Sequence, residues 1–201
     1  AKAVYRENRN QTLNFKICFQ KRGRILMKKL FFAALIGTAV LSAAGLLGGL
    51  VTGKAVFFIF ALSFGVLFYH ISMRLAVAHL VKHGYNFRNA WFSEKTFEKP
   101  LYKKLRVRRW KKHLPSGHPA SYALESRTPF DIVQTMCRNE VIHEISAVLS
   151  LVPILLGAWY GAWGVWIATS VFGSLCDLPF ICMQRYNRPR LVRLIEREKK
   201  V

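Results

Sequence analysis

The chain reads as an all-α integral membrane protein of about four transmembrane helices, and three observations carry that reading. Four long runs within the 201 residues are almost free of charge. A formal net charge of +21 is concentrated in the segments that flank these runs. The short linkers within each pair of runs carry almost none of it, only Lys54 in the first and nothing in the second. A soluble basic protein interleaves charged and apolar residues along amphipathic elements. Here the two kinds are segregated into blocks, as in chains that cross lipid.

The first run spans about 30–51 and is uncharged. That is close to the ~20 apolar residues needed to cross hydrocarbon. Its opening, Lys28-Lys29 followed by an apolar stretch and Ser42-Ala43-Ala44, has features of a secretory signal. A signal's apolar region is usually shorter, so an uncleaved helix is expected. The second run, about 55–75, is wholly apolar through Tyr69; His70, Arg74 and His79 follow, so its end is expected to emerge amphipathically at the interface. The third and fourth runs span about 141–157 and 165–183, joined by the uncharged aromatic linker Ala158-Trp159-Tyr160-Gly161-Ala162-Trp163-Gly164. That composition suits a tight turn in an interfacial belt. Residues 1–26 are polar and basic without a clean period, and Met27-Lys28-Lys29 opens the first run. Because Lys21-Arg22-Gly23-Arg24 can be written entirely in purine codons, as a ribosome-binding site would be, residues 1–26 are expected to be translated upstream sequence. The rival is a basic cytoplasmic arm. The four-helix membrane domain is then 27–201.

Residues 82–138 form the main polar segment, in which Lys and Arg alternate with rings such as Tyr85, Trp91, Phe97, Tyr102 and Trp110. Such a mixture can stack nucleic acid. Beside a bilayer it instead makes a basic amphipathic segment on anionic headgroups, and no nucleic-acid partner is expected. The N-terminus, this segment and the C-terminal tail are all basic. The positive-inside rule therefore puts both termini and the 82–138 loop in the cytoplasm, which requires an even number of spans. The four cysteines form no CxxC or Cys/His ligand spacing, so neither a disulfide framework nor a metal site is expected.

An ionisable group inside a span is costly and marks function by default. The positions are His70 and Arg74 in the second run, Glu140, His143 and Glu144 at the start of the third, and Asp177 in the fourth, roughly 12 Å above Arg185 at ~1.5 Å per residue. With the assigned orientation all lie in the cytoplasmic half of the bilayer, which suggests one polar pocket between helices two, three and four. Glu140, His143 and Glu144, at i, i+3 and i+4, share one helical face and could equally mark the snorkelling start of a span. Asp177 could serve as a structural partner of Arg74 or His70. Histidine, with an unperturbed pKa near ~6.5, can take a proton from a hydroxyl, and a carboxylate one turn away can orient the imidazole. Surrounding Arg and Lys can hold the phosphates of a carrier-bound acyl donor. No nucleophile elbow or phosphate-cradling glycine loop is present in the sequence, which favours direct attack by a hydroxyl.

The segment Gln184-Arg185-Tyr186-Asn187-Arg188-Pro189-Arg190-Leu191 is distinctive, and Pro189 is expected to break the helix as it leaves the membrane. Together with Glu140-Val141-Ile142-His143, Val107-Arg108-Arg109-Trp110-Lys111 and Gly117-His118, it resembles the bacterial glycosyl-4,4'-diaponeurosporenoate acyltransferase family. Those are small integral membrane enzymes that esterify the glucose of a glycosylated carotenoid with a fatty acyl chain. The resemblance covers about Met27 to Arg197. It implies a multi-pass protein of the bacterial cell (inner) membrane whose partners are a glycosylated carotenoid or similar membrane glycolipid and a fatty acyl donor, such as an acyl-thioester, with no cofactor besides. Carried onto matching positions, it makes Glu140 and His143 a candidate acid–base pair. Arg185, Tyr186, Asn187, Arg188 and Arg190 become candidate headgroup or carrier contacts, and Trp110, Lys111 and His118 a candidate loop over the pocket. Asp177 and His70 join them as candidate substrate-binding groups. Two positions depart from the family's pattern: Glu144 stands in place of an aromatic, and Asp177 in place of a neutral amide. The competing readings are a non-catalytic membrane protein, such as an assembly factor or lipid-binding partner, and a small transporter, for which the chain lacks repeats.

Overall fold

The fold is a computed structural model that describes residues 29–111, 114, 122, 127–161 and 163–198. The segment 1–26 and His118 lie outside them. Among the described residues all regular structure is helical, and four helices are long and apolar enough to cross a membrane: Lys29–Thr52, Ala55–Leu80, Pro129–Tyr160 and Trp163–Glu198. Only 6 to 28% of the residues in their apolar windows are buried within the chain. An outer surface carrying Ile36, Leu50, Ile59, Val148, Leu155, Phe172 and Leu175 exposed needs lipid to cover it.

Contacts divide the chain into two compact units, residues 1–68 and 69–201. The first holds α1 (Lys29–Thr52) and the leading half of α2 (Ala55–Leu80), a helical hairpin. Gly53 turns the chain with φ +65 and donates its amide to the Gly49 carbonyl at 2.8 Å, a glycine stop that few other residues could adopt. The helices approach closely where side chains are small. Ser42 Oγ donates to the Ala61 carbonyl at 2.8 Å, and a Cβ on Gly45 would stand 2.9 Å from the Ala61 nitrogen. Close approach over small residues is how helices gain packing where lipid supplies no hydrophobic drive.

The second unit holds the rest of α2, then α3 (Glu98–Lys104), α4 (Val107–Trp110), α5 (Pro129–Leu149), a 3-10 turn (Val152–Leu156), α6 (Gly157–Tyr160) and α7 (Trp163–Glu198). Its principal packing is α5 on α7. Thr128 caps α5 in an extended conformation, its hydroxyl accepting from the Asp131 amide, with Pro129 at the first helical position; this is a strong start signal. The helix therefore begins three turns before the apolar run at 141. Its buried side chains Ile132, Val133, Met136, Cys137 and Glu140 recur at helical spacing. Of these, Val133 and Cys137 pack with Ile195, Leu191 and Val192 of α7 and with Phe92 from the preceding loop. A second cluster joins Met73, Val77 and Val81 of the α2 end to Ile142. The expected turn between the last two spans is present. Gly161 adopts φ 66 and ψ −147, and its carbonyl accepts from Trp166 Nε1 at 2.9 Å.

One expectation is corrected. Pro189 does not end the last helix, because α7 runs on from Trp163 to Glu198 with both Pro179 and Pro189 inside it. An interior proline costs about 3 kcal/mol through its missing donor and its clash with the preceding turn. Here Arg185 and Arg188 tie that turn to the rest of the unit, Ile195 is buried beyond it, and Arg193 Nε donates to the Pro189 carbonyl at 3.0 Å. These tertiary contacts hold the helix through a residue that would stop it alone. Arg106 sits in the left-handed region with φ 52 and separates α3 from α4.

Candidate active site

Along the α5–α7 seam the sequence places charges on both helices, and the structure sorts them into two sets. The first surrounds Glu140, which is fully buried at 0% exposure. Its carboxylate accepts from Arg185 Nε at 2.8 Å and from Arg188 Nη1. Arg185 also donates to Glu98 and, at 2.6 Å, to the Trp91 carbonyl. Arg188 is 2% exposed and directs Nε and Nη2 at the Phe92 carbonyl, 3.0 and 2.6 Å away. Two guanidinium groups thus neutralise two carboxylates and close the loop carbonyls onto the helices. With its donors spent internally and its surface covered, Arg188 ties the helices to the Phe92 loop. Glu98 was not anticipated, although a rare carboxylate in so basic a stretch was a signal. Beside it, burial first and the Glu98 charge second push the Tyr102 phenol well above its usual pKa.

The second set lies one turn along α5. His143 Nδ1 stands 2.9 Å from Asp177 Oδ1, and Arg74 Nη2 donates to Asp177 Oδ2 at 2.7 Å. The same guanidinium donates to the Gly173 carbonyl at 2.8 Å and to Ser150 Oγ at 3.3 Å. His143 therefore pairs with Asp177, not with Glu140 as its i, i+3 spacing suggested, because Glu140 is already held by two arginines. Of the open alternatives for Asp177, its ion-pair partner is Arg74. The ring of Phe180 stacks on the imidazole at 4.7 Å and 9°, fixing its plane. Asp177 is 3% exposed, whereas the His143 side chain keeps 26%. A carboxylate at Nδ1 favours the tautomer in which that nitrogen donates and Nε2 carries the lone pair. His70 lies one α2 turn from Arg74, against Gly173, where a Cβ would meet its ring at 2.8 Å. Both its ring nitrogens are buried and have no hydrogen-bond partner among the described residues.

The remaining expected residues gather elsewhere. Lys111 Nζ donates to Asn187 Oδ1 at 2.5 Å, and Lys111 and Arg190 each sit 4.6 Å from the centre of the Tyr186 ring. Burial, then Arg190 and Arg108, hold the Lys111 ammonium below its usual pKa. Trp110 Nε1 turns back onto the Leu105 carbonyl at 2.9 Å. Glu144 accepts from Trp91 Nε1 at 3.0 Å. Tyr122, whose hydroxyl accepts from Asn139 and from Gln184 at 3.2 Å, was not singled out by the sequence. Burial raises its pKa.

The family model described as glycosyl-4,4'-diaponeurosporenoate acyltransferase matches residues 88–197. No curated protein matches the chain, and no solved structure does. The matched segment contains His143, Asp177 and the whole Arg185–Arg190 stretch; His70 and Arg74 precede it. Since it takes in more than half of the 201 residues and ends with the last long helix, the chain belongs to the glycosyl-4,4'-diaponeurosporenoate acyltransferase family.

Proposed function

We propose that the protein is a membrane acyltransferase that esterifies a hydroxyl of a glycosylated carotenoid, or of a similar glycolipid, with a fatty acyl chain from a thioester donor. The reaction takes place at the cytoplasmic face, with both termini on that side. The observation that carries this reading is the chain Arg74–Asp177–His143, which ends in a partly exposed imidazole. As the sugar oxygen attacks the thioester carbonyl, Nε2 takes the hydroxyl proton. Asp177 holds the ring in the required tautomer and stabilises the imidazolium, and Arg74 fixes the carboxylate. The tetrahedral adduct expels the thiolate, which recovers the proton from His143. One ester forms, one thioester breaks, and a thiol leaves. His70 offers the unsatisfied polar groups of this layer to a sugar hydroxyl.

The test is His143→Ala expressed in cells that supply the acceptor and a labelled fatty acid. Loss of a general base lowers turnover by ~10²–10⁴-fold, with the melting temperature in detergent little changed. Equal amounts of acylated glycolipid in mutant and wild-type extracts would refute His143 as the base. Retention of activity in Glu140→Gln protein that is demonstrably folded is expected on the same reading.

A further inference from the structure

A concave site lies between the α3–α4 segment and the C-terminal third of α7, with a volume of about 400 Å³. Lys99 and Lys103 of α3, with Arg106, line one side, and Arg108 and Arg109 of α4 continue it. Arg190 and Arg193 close it from α7, and the one lining carboxylate is Glu94. Glu94 is engaged by Lys99 at 3.4 Å. Among the described residues the other six cations make no ion pair. Like charges gathered without counter-ions repel, more so in a concavity whose walls exclude water. Two other charge clusters of this unit are balanced: two arginines face Glu98 and Glu140, and Arg74 faces Asp177.

The backbone is also bent to build this site. Arg106 is the one described non-glycine residue with positive φ. A left-handed conformation there is sparsely populated for a long side chain, yet it turns α4 back so that Arg108 and Arg109 face the same space as Arg190 and Arg193. Tyr102 and Tyr186 meet edge to face at 5.9 Å in the wall.

The site is separate from the His143 chain. On α7 the buried positions include Asp177, Gln184, Arg188 and Ile195, which recur at the helical repeat. Tyr186 stands nine residues from Asp177, about half a rotation at ~100° per residue. A ligand seated on the Tyr186, Arg190 and Arg193 face therefore lies on the other side of the helix from His143. We propose that this pocket is a binding site for phosphate groups, distinct from the acyl-transfer centre. Forked guanidinium donors suit phosphate oxygens, and the volume suits a phosphorylated headgroup or a nucleotide bisphosphate rather than a single small ion. An anion there neutralises the cluster and fastens α3 and α4 to α7.

The test uses full-length protein in nanodiscs of phosphatidylcholine alone, with two probes. One arm titrates adenosine 3',5'-bisphosphate; the other replaces part of the phosphatidylcholine with phosphatidylglycerol, and both are read as the melting temperature. Arg108→Gln/Arg109→Gln/Arg193→Gln removes half of the unpaired cations, and Lys82→Gln/Arg88→Gln/Arg127→Gln removes the same charge from exposed positions outside the pocket. At least one probe is expected to stabilise the wild type and the outside-charge control. The pocket variant should need at least tenfold more of that probe, and without either probe it should melt no lower than the wild type. A response to bisphosphate alone assigns the site to a soluble nucleotide, and a response to phosphatidylglycerol alone assigns it to a lipid headgroup. Equal responses from the two triple variants, no response to either probe, or a pocket variant that melts lower in neutral lipid would each overturn the proposal.

Discussion

Glu140 and His143 stand one turn apart on α5, and each meets a partner on α7, yet the two places are finished differently. At Glu140 the carboxylate has two guanidinium groups, and those groups spend their further donors on Glu98 and on the carbonyls of Trp91 and Phe92. At His143 the chain from Arg74 through Asp177 stops at an imidazole with one nitrogen unclaimed among the described residues. A cluster whose every donor and acceptor is used up can hold helices together but offers nothing to a substrate. A cluster with one free, oriented nitrogen can do chemistry. On the proposed function, the Glu140 set is structural and the His143 set reactive, although both are equally ionic.

The largest effect should come from breaking the closed set. Arg188→Ala leaves the buried Glu140 charge without its main counter-ion and the Phe92 carbonyl without its donors. Removing one partner of a buried pair costs about 3–5 kcal/mol, comparable with the whole stability of many domains. The expected outcome is protein that fails to survive extraction as a monodisperse species, measured by fluorescence-detected size exclusion. A well-folded Arg188→Ala protein lacking only activity would restore the ligand-contact role expected from the sequence.

Next comes Asp177→Asn, which separates an orienting role from a packing one. The carboxylate accepts from Arg74 on one oxygen and from His143 on the other. An amide has one oxygen, and the arginine has the stronger claim to it, so the amide nitrogen turns toward His143 Nδ1. That reverses the tautomer and places the ring proton on Nε2, where a base needs a lone pair. Turnover should fall by on the order of 10²-fold or more, while the melting temperature moves far less than for Arg188→Ala. Full activity in the amide variant would leave Asp177 as a packing partner only, and it would agree with the neutral amide that the family resemblance suggested for this position.

A smaller effect is expected at the His70 layer. A methyl group at Gly173 would press on the His70 ring, and overpacking typically costs about 1–3 kcal/mol. Gly173→Ala should therefore lower the melting temperature by a few degrees. If His70 engages the acceptor sugar, the variant should also raise KM for the glycolipid more than it lowers kcat. A change in kcat alone would point instead to displacement of Arg74 through the Gly173 carbonyl.

Much of this architecture is legible in the sequence, and the reason is lipid. Four nearly uncharged runs of sufficient length have few alternatives to spanning helices, and groups such as His143 and Asp177 stand out because the bilayer makes them expensive. Which charges pair is another matter. Glu140 and His143 share a face by spacing, but Asp177, on another helix, takes the histidine because Arg185 and Arg188 occupy the nearer carboxylate. Those two arginines, with Tyr186 and Arg190 between and after them, form one continuous motif. Helical rotation sends the first pair into the interior and the second to a basic pocket, a division that no linear reading of the motif contains. Pro189 misled for the same reason, since its local preference is overruled by anchors that come from distant segments.

The smallest prediction joins the closed interior to the open pocket through Lys111. Its ammonium is held below the usual lysine range by burial and then by Arg190 and Arg108, two of the pocket's cations. A lysine whose folded pKa is depressed binds fewer protons in the native state than in the unfolded one above that folded pKa. Stability should therefore rise with pH from the folded pKa up to the unfolded value of ~10.4, and the penalty of the buried charge is fully present below that window. Lys111→Met should remove this rise, so that wild type and variant converge in melting temperature as the pH approaches 10. Phosphate in the pocket would offset Arg190 and Arg108 and raise the Lys111 pKa toward its ordinary value. The pH-dependent rise should then begin later when the stabilising probe is present. Identical pH profiles for wild type and Lys111→Met, with and without phosphate, would break the link between the pocket and Lys111.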